Sequence, residues 1–209
     1  KVKPIRDENG LIVDFETIGD FPKYGNDDDR VDEIAQNMLV KVRNELKKTP
    51  AYRGAKHTLS ALTITSNVMY GKKTGATPDG RKAGEVIPAN YTPSMYIRNN
   101  GPLSVIKSFS KGDLSKTING GPLTIELDDT IFRNEETLEK LAMLIRTYVV
   151  LGGHQLQLNT LNKEDLLDAK AHPERHRNLI VRVWGWSGYF VELDECYQDH
   201  IINRVKYTI

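Results

Sequence analysis

The chain has 209 residues, of which 39% are hydrophobic and 27% are charged, a balance typical of a globular protein long enough to bury a core. Its 29 basic and 28 acidic residues leave a net charge of +1, so no overall field attracts nucleic acid or an anionic membrane surface. The single cysteine, Cys196, excludes an internal disulfide and a thiolate metal site built by this chain alone. No apolar run approaches the roughly 18 residues that span a bilayer. Together with the near-zero net charge, this predicts a cytoplasmic protein without nucleic-acid or membrane partners.

The first half of the chain predicts one clear helix. Residues 1–29 are rich in Asp, Asn, Gly and Pro and predict a loop that ends in a helix cap. Apolar residues at three- and four-residue steps then predict an amphipathic helix from about Arg30 to Lys48. The β-branched segment Leu59–Thr65 predicts a buried strand. From Tyr70 to Asn119 we expect a long loop, broken only by the apolar PLSVIKSF, and loops of this length are usually functional or disordered.

The second half alternates strand and helix patterns. Pro122–Leu127 predicts a strand, and Asn134 caps a predicted helix that ends at the Gly152-Gly153 pair. The apolar face predicted for that helix consists of Leu138, Leu141, Ala142, Ile145 and Val149. QLQLNTL, which begins at Gln155, alternates as a half-buried strand does, and Asn162 begins a short helix.

The last pattern is a glycine-bearing hairpin. Leu179–Val183 (LIVRV) and Tyr189–Leu193 (YFVEL) predict strands, WGWSG interrupts them, and a helix follows through Ile201 and Ile202. A glycine between two strands indicates by itself only a turn that needs positive φ. The flanking Trp184 and Trp186 are poor turn formers, however, and indicate a turn buried in something larger.

Separated motifs along the chain carry a resemblance to the glycyl radical enzymes. RVWGWSGYF resembles the terminal glycine motif of that family and places the radical glycine at Gly185 rather than Gly188. ATPDGRKAGE (76–85) is similar to the family's TPDGR segment, and GGHQLQLNTLNKEDLLDAKAHPERHRNLIVRV is similar to the stretch before the radical loop. FPKYGNDDDRVD resembles the region upstream. Because the motifs occur in family order over nearly the whole chain, the sequence is identified as a member of this family.

The resemblance implies a fold. We expect an α/β structure that forms the C-terminal part of the family's ten-stranded α/β barrel and includes the radical-glycine hairpin loop. Residues 1–209 would form one C-terminal glycyl radical domain. Within it, residues 1–75 would be the end of the barrel region, and residues 76–209 the TPDGR loop and the glycine-radical segment.

The resemblance also implies roles for particular residues. Loss of hydrogen from Cα of Gly185 leaves a radical stabilised by the adjoining amide and carbonyl, and only glycine lacks a Cβ that would crowd the planar centre. We expect a buried loop that keeps dioxygen away, with Trp184 and Trp186 either shielding the radical or serving as plain core aromatics. Asp79 and Arg81 are expected to hold the long loop near the hairpin through charge-assisted hydrogen bonds.

The same resemblance implies partners. The family's radical passes to a catalytic cysteine that lies far upstream, and Cys196 does not match it, so a partner chain or missing upstream sequence would supply the thiol. No cofactor is expected to be bound; a radical S-adenosylmethionine activating enzyme would install the radical, the substrate would be a small molecule, and the enzyme would be oligomeric. We therefore expect the glycine-radical component of a lyase or dehydratase. The alternatives are a formate C-acetyltransferase, or a non-catalytic spare part or assembly subunit.

Other candidate sites are weaker. The five histidines lack the spacing of a metal site, and none is predicted. His154 begins the strand that in the family lies close to the active site, so it is a candidate for contact with substrate. The run Asp27–Asp29 lacks the periodicity of a calcium loop, and helix capping accounts for it.

Overall fold

The computed structural model describes residues 2–19, 21–63, 66–204 and 206–207. Within these ranges lie six α-helices: α1 (Asp29–Lys48), α2 (Ser66–Lys72), α3 (Pro102–Ser110), α4 (Glu135–Val150), α5 (Lys163–Ala171) and α6 (Glu195–Ile202). The strands are β1 (Val2–Arg6), β2 (Ile12–Thr17), β3 (Pro122–Leu127), β4 (Gln155–Thr160), β5 (Ile180–Arg182), β6 (Ser187–Tyr189) and β7 (Lys206–Tyr207). None of these helices is long and apolar enough to span a bilayer.

The central element is a parallel sheet in the order β4-β3-β7. Strands β3 and β4 pair in parallel from Pro122 opposite Gln155 to Leu127 opposite Thr160, and α4 connects them as a crossover helix. The α/β class is thereby confirmed. The strands of the described residues form this sheet and two separate hairpins, so the ten-stranded barrel stays an expectation for the complete enzyme.

Two apolar clusters form the core. In the first, Leu123, Ile125 and Leu127 alternate along β3 and pack against α3 and α4. In the second, the β5-β6 hairpin packs against α5 and α6; its members include Val181, Val183, Trp184, Leu166 and Ile201. The glycine hairpin is therefore anchored through its apolar side chains, while its tip projects from the cluster.

Several predicted elements are confirmed. Helix α1 begins after Asp28, whose carboxylate accepts a hydrogen bond from the amide of Arg30 at 3.1 Å, so the capping interpretation is correct. Asn134 and Asn162 cap α4 and α5 in the same way. The strands β3, β4 and β5 lie where the patterns place them, within one to two residues.

Four predictions of local structure were wrong. The N-terminal loop contains the β1-β2 hairpin, in which Ile12 also accepts a hydrogen bond from Ala76 at 2.8 Å. The long loop contains the last three residues of α2 and the whole of α3. Pro102 at the start of α3 favours a helix, and most of the apolar side chains of α3 are buried. YFVEL forms a 3₁₀ turn from Phe190 to Glu192 because Phe190 turns inward and is fully buried.

The fourth error concerns Leu59–Thr65, of which Ile64 and Thr65 lie outside the described residues. Residues 59–63 join none of the described sheets. The amide of Ala61 donates to the carbonyl of Gly120 at 3.0 Å, and the amide of Thr63 donates to the side chain of Asn90 at 3.2 Å. The backbone of this segment is thus satisfied by loop and side-chain groups instead of a strand ladder.

The buried face of α4 also differs from the predicted one. Leu138, Ile145 and Val149 are exposed, whereas Leu144 and Tyr148 are buried. The sequence offers two apolar faces on this helix, and in the described structure α3 and β3 cover the one that carries Tyr148.

Candidate radical-glycine site

The hairpin β5-β6 presents Gly185 at its tip. Val181 pairs with Gly188 and Arg182 with Ser187, and the amide of Val183 donates to the carbonyl of Trp186 at 3.0 Å to close the turn. Gly185 has a φ of 80°, a left-handed conformation that glycine adopts without steric cost. The turn thus favours a glycine here on conformational grounds alone.

Gly185 is exposed among the described residues of this chain. Burial of the loop within a larger structure stays a prediction. Apart from its two chain neighbours, no described residue has an atom within 4 Å of a Cβ built on Gly185. The residue instead faces a cavity of about 690 Å³. Its other lining residues include Asn90, Asn119, Thr124, Gln155, Gln157 and Arg182. The cavity is also lined by the apolar side chains of Leu62, Pro122, Leu156, Trp184 and Trp186. The chain therefore covers the apolar base of the hairpin and leaves its tip open to a large space of mixed polar and apolar lining.

The two tryptophans beside Gly185 have different surroundings. Trp184 is buried, its ring centroid lies 4.4 Å from that of His200, and the guanidinium of Arg204 lies 4.5 Å from the Trp184 ring. Trp186 is 43% exposed and lies over Gly188, where an added Cβ would come within 2.7 Å of the indole. Trp184 therefore anchors the tip, whereas Trp186 is partly open to solvent within the described residues. The shielding role of both residues stays a prediction.

The side chains of Asp79 and Arg81 form hydrogen bonds within the TPDGR loop and stabilise its conformation. Arg81 is 1% exposed and donates to the carbonyls of Gly75, Lys82 (3.1 Å) and Glu85 (2.7 Å). A buried guanidinium that joins three carbonyls fixes the path of the backbone around it.

The carboxylate of Asp79 extends this order to a later part of the loop. It accepts hydrogen bonds from the hydroxyls of Thr77 and Ser94. Partial burial acts to raise the pKa of Asp79, but these hydroxyl hydrogen bonds outweigh it and hold the pKa below its ordinary value. The loop then reaches the hairpin through Ala89, which lies in the same apolar cluster as Trp184.

His154 and Cys196 lie away from the cavity lining. His154 is exposed, and it is Gln155, the next residue, that lines the cavity beside Gly185. Contact of His154 with substrate therefore stays an untested prediction. Cys196 is half-buried on α6 and packs against the hairpin's apolar cluster, in keeping with the interpretation as a structural thiol.

An acidic cluster at the start of α1 is occupied by an ammonium group. Lys111 Nζ lies 3.0, 2.7 and 2.8 Å from carboxylate oxygens of Asp27, Asp29 and Asp32. Burial acts to lower the pKa of Lys111, but the three carboxylates raise it. In the part of the chain that the structure describes, no group of His, Cys, Asp or Glu side chains is arranged to hold a metal ion.

Sequence reasoning missed the buried ion pair of Glu126 and Arg204, whose Oε1 and Nη1 lie 2.9 Å apart. Leu123, Ile125 and Leu127 face the first apolar cluster, so Glu126 between them points to the opposite side of β3. Glu126 is nevertheless buried, and Arg204 pairs with it there. A charged residue within an apolar strand is the signal that suggests such a pair, but nothing in the sequence identifies its partner.

His200 is a buried histidine whose two ring nitrogens have no hydrogen-bond partner among the described residues. Burial, and then the positive charge of Arg204, lower its pKa to about 3. The other charged groups that line the cavities around it are Glu126, Lys72, Glu85 and Asp199. His200 is therefore neutral while it is packed against Trp184.

This burial predicts a pH dependence of stability. The pKa is lower in the folded than in the unfolded state, so the stabilisation is complete above the ordinary value of 6.5 and is lost as the pH falls from there toward 3. Unfolding should become easier by about 1.4 kcal/mol for each pH unit below 6.5. The prediction is checked by the thermal midpoint of the full-length protein at about pH 5.5 and pH 7.5. The midpoint of H200Q should change less between these two pH values than that of the wild type. Equal differences in both proteins would contradict the prediction.

Comparison with known proteins decides the family. Residues 88–191, which include Gly185, match the family described as "Glycine radical", and residues 1–71 match the family described as "Pyruvate formate lyase-like". The chain belongs to the glycyl radical enzyme family. The part of a glycyl radical enzyme to which it corresponds is the C-terminal portion.

Individual glycyl radical enzymes support the same assignment. The PFL-like enzyme TdcE of Escherichia coli (strain K12) is 41% identical over 211 residues, which cover 98% of this chain and 28% of that protein. The B12-independent glycerol dehydratase of Clostridium butyricum is 34% identical with a TM-score of 0.84, over 90% of this chain and 24% of that one. Hydroxyproline dehydratase of Clostridioides difficile is 36% identical with a TM-score of 0.83, also over 90% and 24%. The chain thus spans about a quarter of the length of these relatives.

Proposed function

We propose that Gly185 stores the radical of a glycyl radical lyase or dehydratase. The observation that carries this proposal is the position of Gly185 at the tip of the hairpin, in a left-handed conformation and facing the large cavity. An open Cα can meet both a group that removes its hydrogen atom and a thiol that returns one. The solved dehydratases that this chain resembles favour this reaction class.

In the proposed reaction, an activating enzyme of the radical S-adenosylmethionine type removes one hydrogen atom from Cα of Gly185. The glycyl radical then takes a hydrogen atom from a cysteine thiol and leaves a thiyl radical that attacks the small-molecule substrate. The thiol belongs to a partner chain or to upstream sequence, since Cys196 lies outside the cavity lining. The complete enzyme is proposed to be a cytoplasmic oligomer with the family's barrel.

A second candidate is a formate C-acetyltransferase. The observation that favours it is the 41% identity with the PFL-like enzyme TdcE, which exceeds the 34% and 36% identities with the two dehydratases. Turnover assays with pyruvate and coenzyme A, compared with diol substrates, distinguish the two candidates. A spare-part or assembly role predicts neither activity.

Anaerobic electron paramagnetic resonance tests the radical assignment. The full-length protein is incubated with its activating enzyme, its spectrum is recorded, and the sample is then exposed to air and examined by intact mass spectrometry. We expect a doublet from the remaining Cα hydrogen and, after air, cleavage at Gly185. Absence of both, with an activating enzyme that is competent on another substrate protein, would contradict the proposal.

A further inference from the structure

A closed circuit of hydrogen bonds joins the glycine hairpin to the parallel sheet. Arg182 on β5 donates from Nε to Gln157 Oε1 at 3.3 Å, and Gln157 Nε2 donates to Asn159 Oδ1 at 3.1 Å. Asn159 Nδ2 donates to Glu126 Oε1 at 2.9 Å. Arg204 Nη1 closes the circuit by donating both to Glu126 Oε1 at 2.9 Å and to the backbone carbonyl of Arg182 at 2.8 Å. We infer that this hydrogen-bond circuit positions Gly185 for hydrogen transfer, an inference that rests on the proposed function.

The direction of every hydrogen bond in the circuit is fixed by the arginine donors and the glutamate acceptor at which it begins and ends. An arginine side chain only donates, and an ionised glutamate only accepts. The amides of Gln157 and Asn159 lie between such ends, so each has one orientation that satisfies both of its neighbours. The hydrogen-bond circuit therefore specifies a single arrangement of β3, β4 and β5 relative to one another.

Arg204 holds the hairpin at two points. Its Nη1 binds the carbonyl of Arg182 at the base of the tip, and its guanidinium lies over Trp184, the residue before Gly185. A shift of the tip would have to break the cation–π contact, the carbonyl hydrogen bond, or both. Gly185 has no side chain with which to hold itself, and apart from its two chain neighbours no described residue has an atom within 4 Å of the position that its Cβ would take.

Stability alone does not account for this polar arrangement. The side chains of Arg204 and Glu126 are 7% and 9% exposed, and among the described residues Arg204 Nε and Nη2 have no hydrogen-bond partner. Burying such a pair costs desolvation, and apolar residues of similar volume are often as stable or more so. We therefore attribute the hydrogen-bond circuit to the geometry that it imposes on the hairpin, since its contribution to stability does not explain it. Transfer of a hydrogen atom needs such geometry, because a displacement of ~1 Å can lower a rate ~100-fold.

The test compares stability with turnover per radical in the full-length protein. The double variant E126L/R204M removes both charges. R204K keeps the charge but loses the planar guanidinium that lies over Trp184 and whose Nη1 binds both Glu126 and Arg182. The control is R133K, an exposed arginine that pairs with Asp129. For each protein we measure the thermal midpoint, the spins per chain after activation, and kcat and KM, with kcat divided by spin content.

We expect the double variant to fold and form a radical, with a thermal midpoint lowered only by the unpaired amide of Asn159, because the desolvation cost of the ion pair is removed at the same time. Its kcat per spin should fall about 10- to 100-fold with KM unchanged. R204K should be intermediate and R133K unchanged. Unaltered kcat per spin in both circuit variants would overturn the inference, and so would an equal loss in R133K. A wild-type protein that never forms a radical would instead refute the proposed function, so the two failures are distinguishable.

Discussion

Gly185→Ala is expected to abolish the radical while the fold survives. Apart from the two chain neighbours, no described residue has an atom within 4 Å of an alanine Cβ at this position. The cost of the substitution therefore comes from the left-handed backbone and is about 1–2 kcal/mol. The added methyl group crowds the planar centre and removes the second Cα hydrogen on which the glycyl radical depends. Electron paramagnetic resonance of the full-length variant after activation should show no signal, and turnover should vanish.

Gly188→Ala is the matched control, on the same hairpin. Its Cβ would come within 2.7 Å of the Trp186 ring, so this substitution disturbs packing more than Gly185→Ala does. It leaves both Cα hydrogens of Gly185 in place, and a doublet signal should persist. A signal that survives in Gly185→Ala but disappears in Gly188→Ala would assign the radical to the other glycine.

Elements with a regular pattern could be predicted from the sequence. The parallel strands β3 and β4 and the caps Asp28, Asn134 and Asn162 agree with the structure because alternation and capping are local effects. The strand predicted for Leu59–Thr65 was wrong for a non-local reason. Strand propensity does not say whether a partner strand exists, and Ala61 instead bonds to the loop backbone at Gly120.

The candidate site was predictable only in part. The motif identifies Gly185, and its left-handed φ agrees with the need for glycine in a turn. Its exposure was not predictable, because burial depends on what surrounds the tip and not on the tip's own residues. The hydrogen-bond circuit was also invisible in the sequence, since Glu126 and Arg204 are 78 residues apart and meet only through the fold.

Arg81→Met is expected to lower the local stability of the TPDGR loop. Methionine retains much of the side chain's apolar volume, but it leaves the carbonyls of Gly75, Lys82 and Glu85 without their buried donor. Unsatisfied buried groups of this kind cost about 1–3 kcal/mol each, and we expect a combined local loss of about 3 kcal/mol. Hydrogen exchange of the amides in residues 75–85 of the full-length protein should accelerate about 100-fold.

Lys82→Met is the control, because Lys82 is the next residue, has the same charge and has a side chain that is 53% exposed in a surface pair with Asp14. Exposed pairs contribute little, so exchange in this variant should resemble that of the wild type. The loop reaches Trp184 through Ala89, and Arg81→Met should therefore also raise exchange in the hairpin, whereas Lys82→Met should not. Equal exchange in the two variants would show that the loop keeps its path without the buried guanidinium, and that the order of the hairpin has another source.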